Sequence, residues 1–141
     1  MHAPTRKSIA VFGAVRPADG ELVTLPAEKF NAVTFHEFVV ELRKHRKKGS
    51  QMVVVLDNAR YHHAKWLREQ LSPYRRWLKL VFLPPYSPEL NPIERVWKMT
   101  RRICTHNQYF PTLDVLVKVV IEQFNTWALP NTTLRRLCAI T

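Results

Sequence analysis

Glycine is scarce in this chain, three residues in 141, and its two cysteines, Cys104 and Cys138, share no metal-ligand spacing. Set against ten prolines, so little glycine excludes a long flexible linker and a glycine-rich loop that would cradle phosphates. So few cysteines exclude a disulfide framework and a cysteine-caged zinc, and both are read as reduced, partly buried thiols. Acidic residues are few as well: 11 Asp and Glu face 22 Lys and Arg, a formal charge of +11. A surplus of that size on a small domain points to a polyanionic partner, nucleic acid before all others. No stretch approaches the ~18 consecutive apolar residues of a spanning helix. Arg6, Lys7 and Ser8 stand where a signal peptide needs its apolar core. A cytoplasmic protein without a membrane partner is the expectation. No Ser or Cys nucleophile elbow occurs either.

What is present fits one domain over residues 1–141 and a single core. Ile9 to Val15, the turn Arg16-Pro17-Ala18-Asp19-Gly20, and Glu21 to Leu25 read as a β-hairpin. Thr34 and Glu37 make a capping box for a helix whose Phe35, Phe38, Val39 and Leu42 fall at helical spacing up to the basic run Arg43 to Lys48. Met52 to Leu56 is a continuous apolar run, the pattern of a strand buried on both faces. A short helix over His63 to Leu71, a strand over Leu78 to Leu83 and a helix opening at Pro92 continue a strand-helix series, so the fold class is α/β. Leu113, Leu116, Val117, Val120, Ile121, Phe124 and Trp127 predict a long amphipathic helix packed on the core, and a last helical turn comes over Thr133 to Cys138.

Two carboxylates stand out. Asp57 comes directly after the buried strand, and ligands in open α/β sheets bind beyond the carboxyl ends of strands. The plainer reading is that Asp57-Asn58 turns the chain and caps the next helix. Glu94 lies in Asn91-Pro92-Ile93-Glu94, which capping alone explains: Asn91 as N-cap, Pro92 at the first position, Glu94 closing a capping box. Helical projection adds that Glu94 sits within the arc of Arg95, Lys98, Arg101 and Arg102, beside its boundary at Trp97 and opposite the arc of Ile93, Val96, Trp97, Thr100, Ile103 and Cys104. A carboxylate among cations is either a salt-bridged surface group or one that holds a divalent metal against DNA phosphates. Hard ions such as Mg²⁺ want oxygen ligands, which Asp and Glu supply. Between the two lies Leu83 to Pro92, four prolines in ten residues, a stiff bracket with little freedom to lose on folding.

Leu56-Asp57-Asn58 with His62, then the string Leu83-Pro84-Pro85-Tyr86-Ser87-Pro88-Glu89-Leu90-Asn91-Pro92-Ile93-Glu94 with Trp97, which leaves 36 residues between Asp57 and Glu94, resembles the mariner-related bacterial insertion-sequence transposases of the six-thirty family. The resemblance implies a ribonuclease H-like fold, a mixed sheet flanked by helices. It implies an Asp, Asp, Glu triad that binds two Mg²⁺ or Mn²⁺ ions for cleavage and joining of double-stranded DNA at transposon ends and target. Asp57 matches the second Asp and Glu94 the Glu. Asn58, His62, Asn91 and Trp97 are implied to support the site, while Arg95, Lys98, Arg101 and Arg102 are the cations placed to meet DNA. Localisation is then bacterial cytoplasm, at the nucleoid.

The same resemblance exposes one departure. The family's first Asp lies on a central strand ahead of the hairpin, and here eight residues precede Ile9, none acidic, while Asp19 belongs to a turn. A partial domain is therefore expected, lacking that central strand and an N-terminal helix-turn-helix region. Either an upstream transposase fragment supplies the strand, or the hairpin strand and the Met52 strand close up against each other. A homodimer is a further assembly open to it. Two competing activities stay open: a non-catalytic DNA-binding or assembly module, and another ribonuclease H-like nuclease acting on RNA or a DNA junction.

Overall fold

The computed structural model describes residues 10–105 and 109–139. β1 (Ala10–Val15) and β2 (Leu22–Ala27) form the expected antiparallel hairpin, with Val15 opposite Leu22 and Ala10 opposite Ala27. Ile9, expected at its start, lies outside the described residues. The turn closes where Gly20 N–H donates to Arg16 O at 2.7 Å and Arg16 N–H donates to Glu21 O at 2.9 Å. Gly20 has φ of 79°, which a glycine adopts without strain. Asp19 is the turn former: it takes the Glu21 N–H at 3.0 Å and pairs with Arg16 at 3.2 Å. Burial raises the Asp19 pKa, but these two contacts outweigh it and hold the carboxyl below its ordinary value.

α1 (Ala32–Arg43) leads into β3 (Met52–Leu56). A 3-10 turn (Arg60–His63) and α2 (Lys65–Leu71) then lead to β4 (Leu78–Phe82), which pairs parallel with β3, Met52 opposite Leu78 and Leu56 opposite Phe82. α3 (Pro92–Thr105), α4 (Leu113–Thr126) and α5 (Thr132–Leu137) complete the described chain. A helix of twelve residues is marginal in water alone. α1 is held because Phe35, Phe38, Val39 and Leu42 are buried against Phe12, Leu56, Leu67 and Leu78. At about 1.5–3 kcal/mol per buried side chain, that stripe decides the matter. A second cluster joins Leu22 of the hairpin to Ile93 and Val96 of α3, Phe124, Trp127 and Leu134.

Several expectations are corrected. Among the described residues the sheet is not continuous: β1–β2 and β3–β4 are separate two-stranded sheets, so β1 and β3 have not closed up. β3 is not buried on both faces, since Val53 and Val55 are 56% and 44% exposed. α1 and α2 cover one face, whereas the second core gathers α3, α4 and α5 over the hairpin and leaves the other face of β3 open. The N-cap of α1 is Asn31, whose side chain takes the Thr34 N–H at 2.9 Å while Thr34 Oγ1 takes the Asn31 N–H at 3.0 Å. Asn is the stronger N-cap residue, and its Oδ1 here answers the amide three residues ahead. Of α4 only the C-terminal part is buried, at Phe124 and the adjoining Trp127, while Leu113 and Val115 of its first turn are exposed.

Both cysteines are free and buried, and burial pushes both thiol pKa values up. Fewer thiolates form at a given pH, so neither is expected to react with iodoacetamide at about pH 8 until urea unfolds the chain. Mass spectrometry of the alkylated protein checks this; rapid native labelling would contradict the packing. At Gly13 a Cβ would overlap the Trp97 ring, which lies directly on β1. Gly13→Ala is therefore expected to lower stability by about 1–3 kcal/mol in urea denaturation, the usual cost of overpacking.

Candidate functional site

Asp57 leaves the C-terminal end of β3, where the strand's last residue Leu56 is buried and Asp57 itself is exposed. Its Oδ1 takes the Ala59 N–H at 3.1 Å, so part of the turn-forming reading holds. The His62 Nδ1 stands 3.1 Å from Asp57 O and 3.3 Å from its Oδ1. A carbonyl only accepts, so Nδ1 carries the proton and donates it. Burial pushes the His62 pKa down, outweighing the Asp57 contacts that would raise it, and leaves a neutral imidazole. The ring is clamped between Phe35 and Tyr61, centroids 4.5 Å and 4.3 Å away. Burial, and then the Asp57 charge, push the Tyr61 pKa up to about 12. Asn58 Oδ1 meets His63 Nε2, and His63 rests on Phe82 at 4.4 Å. Tyr61, Phe82 and Phe35 are supports that sequence reading missed; the aromatic neighbours of His62 in Tyr61-His62-His63 were the available signal.

The second carboxylate starts from the proline bracket. Leu83 N–H donates to Leu56 O at 2.8 Å, which fastens the bracket to β3 beside Asp57. The bracket then makes a 3-10 turn over Pro88–Leu90, with Tyr86 at φ 59° and its side chain fully exposed. Asn91 Oδ1 takes the Ile93 N–H at 3.3 Å, as an N-cap should. The Asn91 N–H, however, donates to Pro88 O at 2.9 Å, so the Glu94 carboxylate is not needed to close a capping box. This removes the plainest competing reason for a Glu at 94.

Asp57, His62, Asn91 and Trp97 all line one groove between β1 and β3, and Glu94 comes directly after Ile93, another lining residue. Neither Asp57 nor Glu94 pairs with a Lys or Arg among the described residues. Two exposed oxygen donors uncompensated by a fixed cation fit a hard divalent ion. Among the described residues no three His, Cys, Asp or Glu side chains gather as a metal cage. Of the predicted DNA-facing cations, Lys98, Arg101 and Arg102 are exposed on α3. Arg95 is engaged otherwise: its Nη1 donates to Leu137 O and Ala139 O at 3.3 and 3.4 Å, satisfying carbonyls at the end of α5. No helix among the described residues is long and apolar enough to cross a membrane.

The fold is ribonuclease H-like, an α/β frame with Asp57 at the end of a parallel strand and Glu94 in the first turn of a later helix. The chain belongs to the DDE superfamily endonucleases, whose family model matches residues 2–117. It is 33% identical over 107 residues to the uncharacterized protein y4pE/y4sA of Sinorhizobium fredii, a match covering 76% of each chain. It is 21% identical over 112 residues to the Insertion element IS630 uncharacterized 39 kDa protein of Shigella sonnei, covering 77% of this chain and 31% of that protein. Among solved structures, the catalytic domain of Mos1 mariner transposase shares the fold with a TM-score of 0.67 at 19% identity, over 91% of this chain and 66% of that one. The Mos1 mariner paired end complex with Mn gives 0.66, over 98% of this chain and 42% of that one. The chain thus spans just under two thirds of the Mos1 catalytic domain and less than a third of the insertion-element protein.

Proposed function

We propose that this chain acts in DNA transposition, as the part of a DDE transposase catalytic domain that carries Asp57 and Glu94 as ligands of divalent metal for DNA strand cleavage and strand transfer. The carrying observation is that Asp57 and the capping turn just before Glu94 open on one groove, with both carboxylates free of Lys and Arg partners among the described residues. Mg²⁺ or Mn²⁺ held there would activate the attacking oxygen and stabilise the leaving one at a phosphodiester. His62 orients Asp57, and Asn91 fixes the first turn that presents Glu94. Exposed Lys98, Arg101 and Arg102 would meet double-stranded DNA in the bacterial cytoplasm. The partners in this reading are transposon ends and target DNA.

Calorimetric titration with Mn²⁺ tests it. Asp57→Asn and Glu94→Gln are each expected to weaken binding at least tenfold, and His62→Ala about tenfold, the usual loss when an orienting partner of a ligand is removed. Binding unchanged in both carboxylate variants would sink the metal reading. One observation favours a second reading: among the described residues no three His, Cys, Asp or Glu side chains gather to hold a metal, so Asp57, His62 and Glu94 do not form such a group. On that reading the chain is a DNA-binding assembly module, and DNA affinity without any metal response would establish it.

A further inference from the structure

Two turns feed the parallel strands: residues 44–51 carry the chain from α1 into β3, and residues 72–77 carry it from α2 into β4. Because β3 and β4 run in the same direction, both turns lie at the end of the sheet opposite Asp57. They are joined where Met52 N–H donates to Trp77 O at 2.5 Å and Gln51 Nε2 donates to Arg76 O at 3.3 Å. Arg43, Arg46, Lys47, Lys48, Arg75 and Arg76 gather there, all exposed except the half-buried Arg46. The sequence has no acidic residue between Glu41 and Asp57, and none between Glu69 and Glu89. Glu41 is taken by Lys44 at 3.0 Å, and Asp19 and Glu21 of the hairpin turn are taken by Arg16 at 3.2 and 3.0 Å. Among the described residues none of the six cations forms an ion pair.

Two of the guanidiniums are held in place before any ligand arrives. Arg43 lies over the Tyr74 ring at 5.5 Å and Arg46 over the Trp77 ring at 5.3 Å, with the two rings 5.4 Å apart. Arg46 Nε also donates to Ser50 O at 2.7 Å. A stacked guanidinium keeps a planar fork of N–H donors, the geometry that fits a phosphate. Magnitude decides whether these charges serve the site at Asp57. The five residues of β3 span about 16 Å, whereas charge is screened over ~8 Å at physiological salt. Cations two screening lengths away do not hold a phosphate at Asp57 and need phosphates of their own. They are also separate from the cations of α3: Leu42, Leu71 and Trp77 beside them belong to the first core, whereas α3 packs on the second. No large apolar side chain is exposed on residues 43–51 or 72–77, so an anionic membrane finds nothing there to take up. A duplex, with its regular rows of phosphates, asks only for cations.

We infer that these two turns form a second binding surface for the backbone of duplex DNA, apart from Lys98, Arg101 and Arg102, so that one chain holds two duplex segments at once. The inference goes beyond the proposed site and requires neither metal nor the two carboxylates. With EDTA present and a labelled duplex of about 12 base pairs in excess at about 50 mM NaCl, sedimentation is expected to show two duplexes per chain. Lys47→Ala, Lys48→Ala, Arg75→Ala and Arg76→Ala together should leave one. Arg101→Glu with Arg102→Glu should also leave one, and both sets combined should leave none, with each variant folded by circular dichroism. On the Arg101→Glu, Arg102→Glu chain the remaining affinity should fall about a hundredfold between about 50 and about 200 mM NaCl, as about four phosphate contacts require. Adding Arg43→Lys and Arg46→Lys to that chain keeps the charge but removes the stacked forks, and should weaken binding about tenfold. A single duplex per unaltered chain, or an undiminished ratio after the alanine changes, would overturn the inference. So would displacement of the duplex from the Arg101→Glu, Arg102→Glu chain by polyglutamate or phosphatidylserine vesicles at equal charge. Metal titration at Asp57 and Glu94 can fail without altering this ratio, and the ratio can fail while metal still binds.

Discussion

Raising NaCl from about 50 to about 200 mM is expected to weaken association of this chain with duplex DNA about a thousandfold. The cause is the +11 charge, which the fold leaves largely unneutralised. Ion pairs with Lys or Arg are limited among the described residues to Arg16 with Asp19 and Glu21, Lys44 with Glu41, and Lys65 with Glu69. Lys98, Arg101 and Arg102 on α3, and Lys47, Lys48, Arg75 and Arg76 at the opposite end of β3 and β4, are exposed. If roughly six of them meet phosphates, the slope of log K against log salt is about −5, and a fourfold rise in salt costs about three decades. Fluorescence anisotropy of a labelled duplex measures it. Reversing Arg101 and Arg102 together to Glu should flatten the slope by about 2, whereas the same change at Lys47 and Lys48 reports on the far end of the sheet. A slope near zero would exclude DNA as the polyanionic partner.

The second large effect lies far from the site, at Gly20. Gly20→Val should cost about 3 kcal/mol, on the order of a hundredfold in the folding equilibrium. Two causes add. At φ 79° a side chain incurs roughly 1–2 kcal/mol of backbone strain. A Cβ there would also overlap Asn131 O and lie 2.6 Å from Arg135 N, both backbone atoms that cannot swing aside. That junction joins the hairpin to α4 and α5: Asn131 Nδ2 donates to Gly20 O at 2.8 Å, Asn131 N–H to Asp19 O at 2.8 Å, and Leu22 N–H to Trp127 O at 3.0 Å. Urea denaturation should show a midpoint lower by about 1–2 M, taking a slope of about 2 kcal/mol/M. A shift under about 0.3 M would mean that the turn is not pinned by these backbone contacts.

Elements made by local chemistry were legible in the sequence. The hairpin, the stripe of α1, the strands flanking α2, and Asn91 with Pro92 at the start of α3 were all readable, because periodicity and capping are properties of neighbours in the chain. Long-range events were not. Met52–Leu56 spells a strand covered on both faces, yet Val53 and Val55 are exposed, since coverage depends on where α3 and α4 pack. That Arg95 would turn to the end of α5 depends on a contact 42 residues away. For the site, Asp57 and Glu94 were readable as candidates from their places at a strand end and a helix start. That Glu94 is not used for capping became visible only in the Asn91–Pro88 bond.

The bond from Leu83 N–H to Leu56 O has a further consequence. Leu56 carries Asp57 as its next residue and, through that bond, anchors the proline bracket that leads to Glu94. The bracket is thus the tether between two separately held carboxylates: Asp57 goes with β3, whereas α3, which carries Glu94, packs on the hairpin through Ile93 and Trp97. A shift of β3 relative to the hairpin would change the separation of the two, and the four prolines between Leu83 and Pro92 limit how far the bracket can give.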